Sequence, residues 1–207
     1  PQNPSIYEIN TWVWLSTLSA RYGRTITLNN VPKEAVDELA EYHVDAIWLM
    51  GVWHRGPATR ASALNYIHEY RGALPDITEE DVVGSAYAIG GYTVDKHLGG
   101  RRGLATFRKQ LQQRGMKLIL DFVPNHVATD HPWISEHPDY FVLGGDAQRE
   151  DSNFFIAENA QGDEMIVAHG RDPYFPGWID TAQLNAFSPG YRAAAVRILR
   201  DLAAQCD

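Results

Sequence analysis

The chain has a single cysteine, Cys206, in 207 residues, which rules out an internal disulfide and a thiolate-rich metal site. The residues around it predict a buried strand position. Long apolar runs are missing too: nothing approaches the ~18 consecutive apolar residues of a membrane span, so no membrane partner is expected. The N-terminus lacks the basic, apolar and small-residue order of a secretory signal. The chain opens on Pro1 and not on Met, so a leader could have been trimmed, and the compartment stays open. Basic residues are in deficit, 18 against 26 acidic ones for a net charge of −8, a balance that repels a phosphate backbone. The one basic cluster, Arg101, Arg102, Arg108, Lys109 and Arg114, falls on a segment with amphipathic helical periodicity and reads as its solvated face. Nucleic acid is therefore not an expected partner. Internal repeats and low-complexity tracts are absent as well.

What is present is a composition of 44% hydrophobic and 21% charged residues, that of a globular protein with a real core. Beta-branched and aromatic residues over 6–14 predict a first strand, and the polar stretch 16–30 a loop. Pro32 then opens a helix, with Glu34, Asp37 and Glu38 near the positive end of its dipole and Val36, Leu39, Ala40 and His43 along one face. Residues 44–53, with Ile47, Trp48, Leu49 and Met50 in succession, have the apolar density of a parallel strand buried on both faces. The polar, glycine-bearing excursion 54–103 is too long for an ordinary connection and is expected to be functional or partly structured. Leu104, Phe107 and Leu111 mark a second helix closed by Gly115, and 116–123 a third buried strand. Residues 129–183, rich in Asp, His, Pro and Gly, predict an irregular inserted subdomain. Ser188 and Pro189 then start a helix striped by Ala195, Val196, Leu199, Leu202 and Ala203. Such alternation predicts an α/β fold with a parallel sheet, either open or closed into an eightfold barrel.

The densest polar signal follows the third strand, in Asp121-Phe122-Val123-Pro124-Asn125-His126, at the strand end where parallel sheets bind ligands. Singly, Asp121 could cap a turn, Asn125 could satisfy loop backbone and His126 could sit in a core. Three such groups at one strand end, ahead of a long insertion, point to a site.

This hexapeptide resembles the motif that closes the third barrel strand of the alpha-amylase family of glycoside hydrolases. Four other segments stand in the family's order around it. Tyr7-Glu8-Ile9-Asn10 is similar to its first strand and Val44-Asp45-Ala46-Ile47-Trp48-Leu49 to its second. Ser85-Ala86-Tyr87-Ala88-Ile89-Gly90-Gly91-Tyr92 resembles the loop with two tyrosines five residues apart, although Gly91 stands where the family usually has an acid. Gln183-Leu184-Asn185 resembles the motif leaving the inserted subdomain. The resemblance implies the N-terminal portion of a (β/α)8 TIM barrel: residues 1–128 hold three barrel strands and two helices, 129–185 the insertion, and 186–207 the third barrel helix leading to strand 4. It also implies a retaining mechanism in which two carboxyl groups ~5 Å apart serve as nucleophile and acid/base. Neither is expected in this chain, because the family's Gly-x-Arg-x-Asp nucleophile pattern does not occur in it, so the chain alone is expected to be inactive. The residues it does carry would position an oligosaccharide or α-glucan: Tyr87 by stacking on the sugar at the cleavage point, His126 by donating to a hydroxyl of that sugar, and Asp121 by orienting the fourth-strand arginine. No cofactor is required; calcium is a candidate, with Asn125 as its ligand by resemblance. The remainder of the barrel would be this chain's natural partner.

Two other readings compete. His126, His131 and His137 near Asp121, Asp130 and Asp139 suggest a metallohydrolase, but neither a His-x-His pair nor histidines one helical turn apart occur. A carbohydrate-binding or scaffold protein on the same fold, without the carboxylates, is the alternative. Among the aromatics, Trp14 and Trp48 are expected to pack in the core, while Trp133, Tyr140, Tyr174, Phe175 and Trp178 are equally sugar-platform candidates and packing residues.

Overall fold

The computed structural model describes residues 2–207, which divide into two compact units. The first comprises the residues up to His54, Tyr92–Phe122 and Arg197–Asp207; the second comprises Arg55–Gly91 and Val123–Val196.

In the first unit, β1 (Ile6–Asn10) leads directly into helix α1 (Thr11–Tyr22), where a longer strand and a loop were expected. The run Thr11-Trp12-Val13-Trp14 has strand-like composition, but its neighbours decide. The Asn10 side chain accepts from the Val13 amide at 3.4 Å, Gly23 closes the helix at φ 62°, and the buried residues Thr11, Leu15 and Leu18 recur at helical spacing. Trp14 therefore packs from a helix, its ring 5.4 Å from that of Phe107. Helix α2 (Lys33–Ala40) follows, then β2 (Ala46–Met50). The predicted strand 44–53 is thus cut short by Gly51, which takes φ 76°, and Trp53 begins a separate short strand, β3 (Trp53–Arg55).

The excursion after it is well structured: α3 (Pro57–Leu64), α4 (Ile67–Tyr70) and β4 (Ile89–Val94), which pairs with β3. Helix α5 (Gly100–Gln112) and β5 (Lys117–Leu120) complete the first unit's alternation. Its sheet is parallel, in the order β1-β2-β5, with Tyr7 opposite Ile47 and Ile47 opposite Leu118. Ile47, Leu49 and Leu118 are fully buried, as expected of a parallel strand set. Of the basic cluster, Arg101, Arg102 and Lys109 lie on an exposed face of α5, whereas Arg108 and Arg114, the latter past the end of the helix, are partly buried; Arg101 pairs with Asp201, Arg108 with Asp207 and Arg114 with Asp37. Cys206 is not in a strand but follows α7 (Pro189–Gln205), its thiol donating to the Leu202 carbonyl. Beside it, the Asp207 amide donates to Leu118 O at 2.9 Å, the hydrogen bond that a further parallel strand on the open edge of β5 would begin with.

The second unit is built on an antiparallel sheet within the insertion, ordered β6-β9-β8-β7. Its members are β6 (His126–Ala128), β7 (Phe154–Glu158), β8 (Glu164–Gly170) and β9 (Trp178–Gln183), with the short helix α6 (Trp133–Glu136) after β6. Val127, Tyr140, Phe141, Val167, Ala182, Leu184 and Tyr191 form its core, and Trp133 packs against them. Trp133 and Tyr140 thus hold the subdomain together, whereas Tyr174, Phe175 and Trp178 remain at the surface. No helix among the described residues is long and apolar enough to cross a membrane.

Candidate functional site

Asp121 belongs to the first unit and lies just past β5. Its two carboxylate oxygens are both engaged, Oδ1 by the indole N–H of Trp48 and Oδ2 by the amide of Gly51, each at 2.7 Å. The Trp53 indole donates to its backbone carbonyl at 3.0 Å. Trp48 is therefore not simple core packing; it is a polar anchor. Burial raises the Asp121 carboxyl above its ordinary range, against the lowering effect of these hydrogen bonds, and the charge of Glu8 pushes the same way as burial. Asp121 is in effect a clamp joining the C-terminal ends of β2 and β5.

Asn125 and His126 belong to the second unit, as does Tyr87. The backbone of their motif is held by α7, whose Tyr191 hydroxyl donates to the Pro124 carbonyl at 2.6 Å, and by β9, where Gln183 is the register partner of His126. Gln183 Nε2 donates both to the Asn125 carbonyl, at 2.8 Å, and to Asn125 Oδ1, at 3.0 Å. A nitrogen facing two oxygens fixes the orientation of both amides. The Asn125 NH₂ is consequently turned to His126 Nδ1, 3.2 Å away, and Nδ1 must accept. Burial lowers the His126 imidazole below its ordinary value while the charge of Asp180 raises it, so the ring is neutral near pH 7 and carries its proton on Nε2. One hydrogen-bond donor is thereby presented with a set tautomer.

Asp180, which no motif singled out, also ties the Tyr87 loop to this strand. Its Oδ2 accepts from the buried Thr59 hydroxyl of α3 at 2.6 Å. Thr59 Oγ1 accepts in turn from the Ser85 amide at 2.9 Å, and Ser85 Oγ from the Tyr87 amide at 3.3 Å. Tyr87 and His126 are thus linked within one unit through Ser85, Thr59 and Asp180. Only the Ser85 part of this chain lay in a segment noted for its resemblance; Thr59 lies in the excursion, to which no role could be assigned from sequence.

Gly170 allows His126 to sit where it does. A Cβ there would stand 2.6 Å from Thr181 Oγ1 and 2.7 Å from the His126 Cβ. Gly170→Ala is expected to destabilise the chain by about 2 kcal/mol through overpacking and to displace the imidazole. Chemical denaturation and the His126 ring resonances in NMR would check both effects.

His131 and His137 are packing groups. His131 stacks on Trp133 with centroids 4.7 Å apart, and His137 lies flat on Tyr140 at 4.6 Å. Asp130 caps α3 by accepting from the Ala58 amide at 2.8 Å. Among the described residues no three His, Cys, Asp or Glu side chains converge where a metal ion could sit. Asn125 Oδ1, the oxygen expected to serve calcium, accepts one hydrogen bond, from Gln183. Asn125 and Gln183 border a cleft of about 530 Å³, also lined by His169, Arg171, Asp172 and Phe187.

Comparison with known proteins agrees with this architecture. Over 81 residues the chain is 36% identical to an alpha-1,4-glucan:maltose-1-phosphate maltosyltransferase from Pseudomonas aeruginosa, covering 37% of this chain and 11% of that protein. It is 21% identical over 117 residues to an amino acid transporter heavy chain from Rattus norvegicus, covering 53% of this chain and 14% of the relative. The crystal structure of an alpha-amylase from Lactobacillus plantarum superposes with a TM-score of 0.60 at 17% identity, over 100% of this chain and 37% of that one. The chain thus spans little more than a third of that solved structure and a smaller share of the two curated relatives. The model of the alpha amylase catalytic domain matches residues 33–182, well over half the chain, and with the parallel sheet and its inserted subdomain in place, the chain belongs to the alpha-amylase family.

Proposed function

We propose that this chain supplies the sugar-positioning part of an enzyme that acts on α-glucosidic linkages by retaining hydrolysis or by transfer to another sugar. The observation that carries this reading is the relay Gln183 to Asn125 to His126, which leaves a neutral imidazole with an Nε2–H donor suited to a sugar hydroxyl. Tyr87, held through Ser85 and Thr59, offers its ring to the apolar C–H face of the same sugar. Asn125 orients His126. Asp121 keeps spare lone pairs beside its two hydrogen bonds and orients a fourth-strand arginine supplied by the rest of the barrel. The nucleophile and the acid/base are not among these residues, so the chain binds sugar without turning it over.

Calorimetric titration of the chain with maltose tests this. Binding is expected to weaken about tenfold or more in His126→Ala and in Tyr87→Ala, as loss of a hydrogen bond or a stacking partner implies. Wild-type affinity in both variants, or release of reducing sugar by the unmodified chain, would overturn the reading. A non-catalytic member of the same fold is the second reading, favoured by the likeness to a transporter heavy chain. A Gly-x-Arg-x-Asp pattern on the fourth strand of the parent protein decides for the enzyme, and its absence for the scaffold.

A further inference from the structure

Helix α3 buries a single side chain, and that side chain is polar. Thr59 is 1% exposed, and a valine of the same shape would fill the space without desolvating a hydroxyl. The hydroxyl is in use on both sides. An amide N–H only donates and a carboxylate only accepts, so Thr59 Oγ1 receives from the Ser85 amide at 2.9 Å and gives its own proton to Asp180 Oδ2 at 2.6 Å.

The segment that leads to Tyr87 is strapped to this helix. Arg60 donates from Nε to the Val82 carbonyl at 2.9 Å and from Nη2 to the Glu79 carbonyl at 2.8 Å, and Arg55 donates from Nη1 to the Gly84 carbonyl at 2.6 Å. Gly84, at φ 81°, runs so close to α3 that a Cβ on it would lie 2.7 Å from Thr59 Cγ2. On the other side the helix is fixed to the inserted sheet. Asp130, two residues past β6, caps it at the Ala58 amide, and Asp180 belongs to β9, the neighbour of β6. Burial lowers the His126 imidazole and the charge of Asp180 raises it, so the carboxylate that Thr59 holds is one that the imidazole senses.

We propose that Thr59 is a positioning residue of the sugar site: its hydroxyl fixes the Asp180 carboxylate on the His126 side and the Ser85 amide on the Tyr87 side, so that imidazole and tyrosine are set together. The inference rests on the proposed sugar-binding role of those two residues. Thr59 itself touches no sugar and acts through Asp180 and Ser85. Its role gives the segment between β3 and β4 a function, that of holding two contacts to one ligand in fixed relation, which lowers the ordering cost of binding.

Two variants of the full chain test this. Thr59→Val keeps the shape and removes the hydroxyl, and Thr59→Ser keeps the hydroxyl. In sugar-free NMR spectra, Thr59→Val is expected to shift the Tyr87 amide and His126 ring signals together, and Thr59→Ser neither. In calorimetric titration with maltose, Thr59→Val should bind about fivefold more weakly, the scale of one hydrogen bond, and Thr59→Ser within about twofold of the unmodified chain. Tyr87→Ala, costing about tenfold in the unmodified chain, should cost about threefold in Thr59→Val, because losses within one hydrogen-bond network do not add. A buried residue that only stabilised the fold would leave that penalty at full size. Asp180→Asn keeps an oxygen for Thr59 and loses the charge, so it should lower the His126 titration midpoint with the Tyr87 amide signal in place. That variant decides the matter if thermal melting shows that Thr59→Val does not fold. Additive losses, a serine variant no better than the valine one, or an unchanged midpoint in Asp180→Asn overturns the role of Thr59. Maltose bound as well by folded Thr59→Val as by the unmodified chain overturns it too, and leaves the sugar reading standing. If the unmodified chain binds no maltose, the sugar reading falls and the role of Thr59 falls with it, whatever the spectra show.

Discussion

Between pH 6.5 and pH 4 the chain is expected to lose about 3 kcal/mol of folding stability through His131 alone. The imidazole is buried, at 6% exposure, and that burial lowers its pKa to about 4. Its Nδ1 accepts from the Trp133 amide at 3.1 Å, a bond that only the neutral ring can make. In the unfolded chain the same group titrates near 6.5. Between these values the unfolded state binds one more proton than the native state, so stability rises with pH across the window and is lost as pH falls. It is fully present above 6.5. A difference of about 2.5 pK units at 1.36 kcal/mol each gives the figure quoted. Urea denaturation followed by tryptophan fluorescence at pH 7.0, 5.5 and 4.5 would measure it. His131→Gln should start about 1 kcal/mol less stable, for the weakened Trp133 contact, and show much less decline over that range. If wild type and variant fell in parallel, the buried imidazole would not be the acid-sensitive group.

Most barrel elements could be read from the chain because their signals are local. Ile47 to Met50 and Leu118 to Leu120 are apolar runs that only a parallel strand buries, and Leu104, Phe107 and Leu111 repeat at a helical period that α5 then shows. Helix α1 was missed because Trp12, Val13 and Trp14 carry strand propensity, whereas the deciding groups, the Asn10 cap and Gly23, flank the segment and are weak cues alone. The sheet of the insertion was hidden for a different reason. Its strands gain stability from cross-strand pairs such as Phe155 with Val167 and Ile156 with Ile166, which cannot be recognised until the register is known.

At the site, the motif identified the residue types but not their partners. Asp121, Asn125 and His126 stand together in sequence, yet what each does depends on residues 58 to 73 positions away: Gln183 for Asn125, Trp48 and Gly51 for Asp121. Asp180 and Thr59 are 121 residues apart and share no motif. Side-chain hydrogen bonds of that separation are set by the fold, and only the fold reveals that the Asn125 amide, held by Gln183, orients the imidazole. Tyr174 and Phe175 could not be separated from Trp133 and Tyr140 for the same reason, since exposure is a property of packing and not of composition.

Replacing Asp121 should have the largest effect of any single substitution near the motif. Asp121→Ala removes the acceptor of two 2.7 Å hydrogen bonds and leaves the Trp48 indole N–H and the buried Gly51 N–H without partners. At about 1–3 kcal/mol for each unsatisfied donor, a loss of about 4 kcal/mol is expected in urea denaturation at pH 7. Asp121→Asn keeps one acceptor oxygen but turns an NH₂ toward the second donor, so about 2 kcal/mol is expected. The pH dependence separates the carboxylate's charge from its hydrogen bonds. Burial raises the folded-state pKa of Asp121 above the unfolded value, so the native state binds more protons in the window just above pH 3.8, and stability falls as pH rises through it. That slope is opposite in sign to the one from His131, and Asp121→Asn should abolish it while leaving the His131 slope intact. An Asp121→Ala variant as stable as wild type would mean that the ends of β2 and β5 are held by their backbone pairing alone, and that this carboxylate is kept for a partner outside these residues.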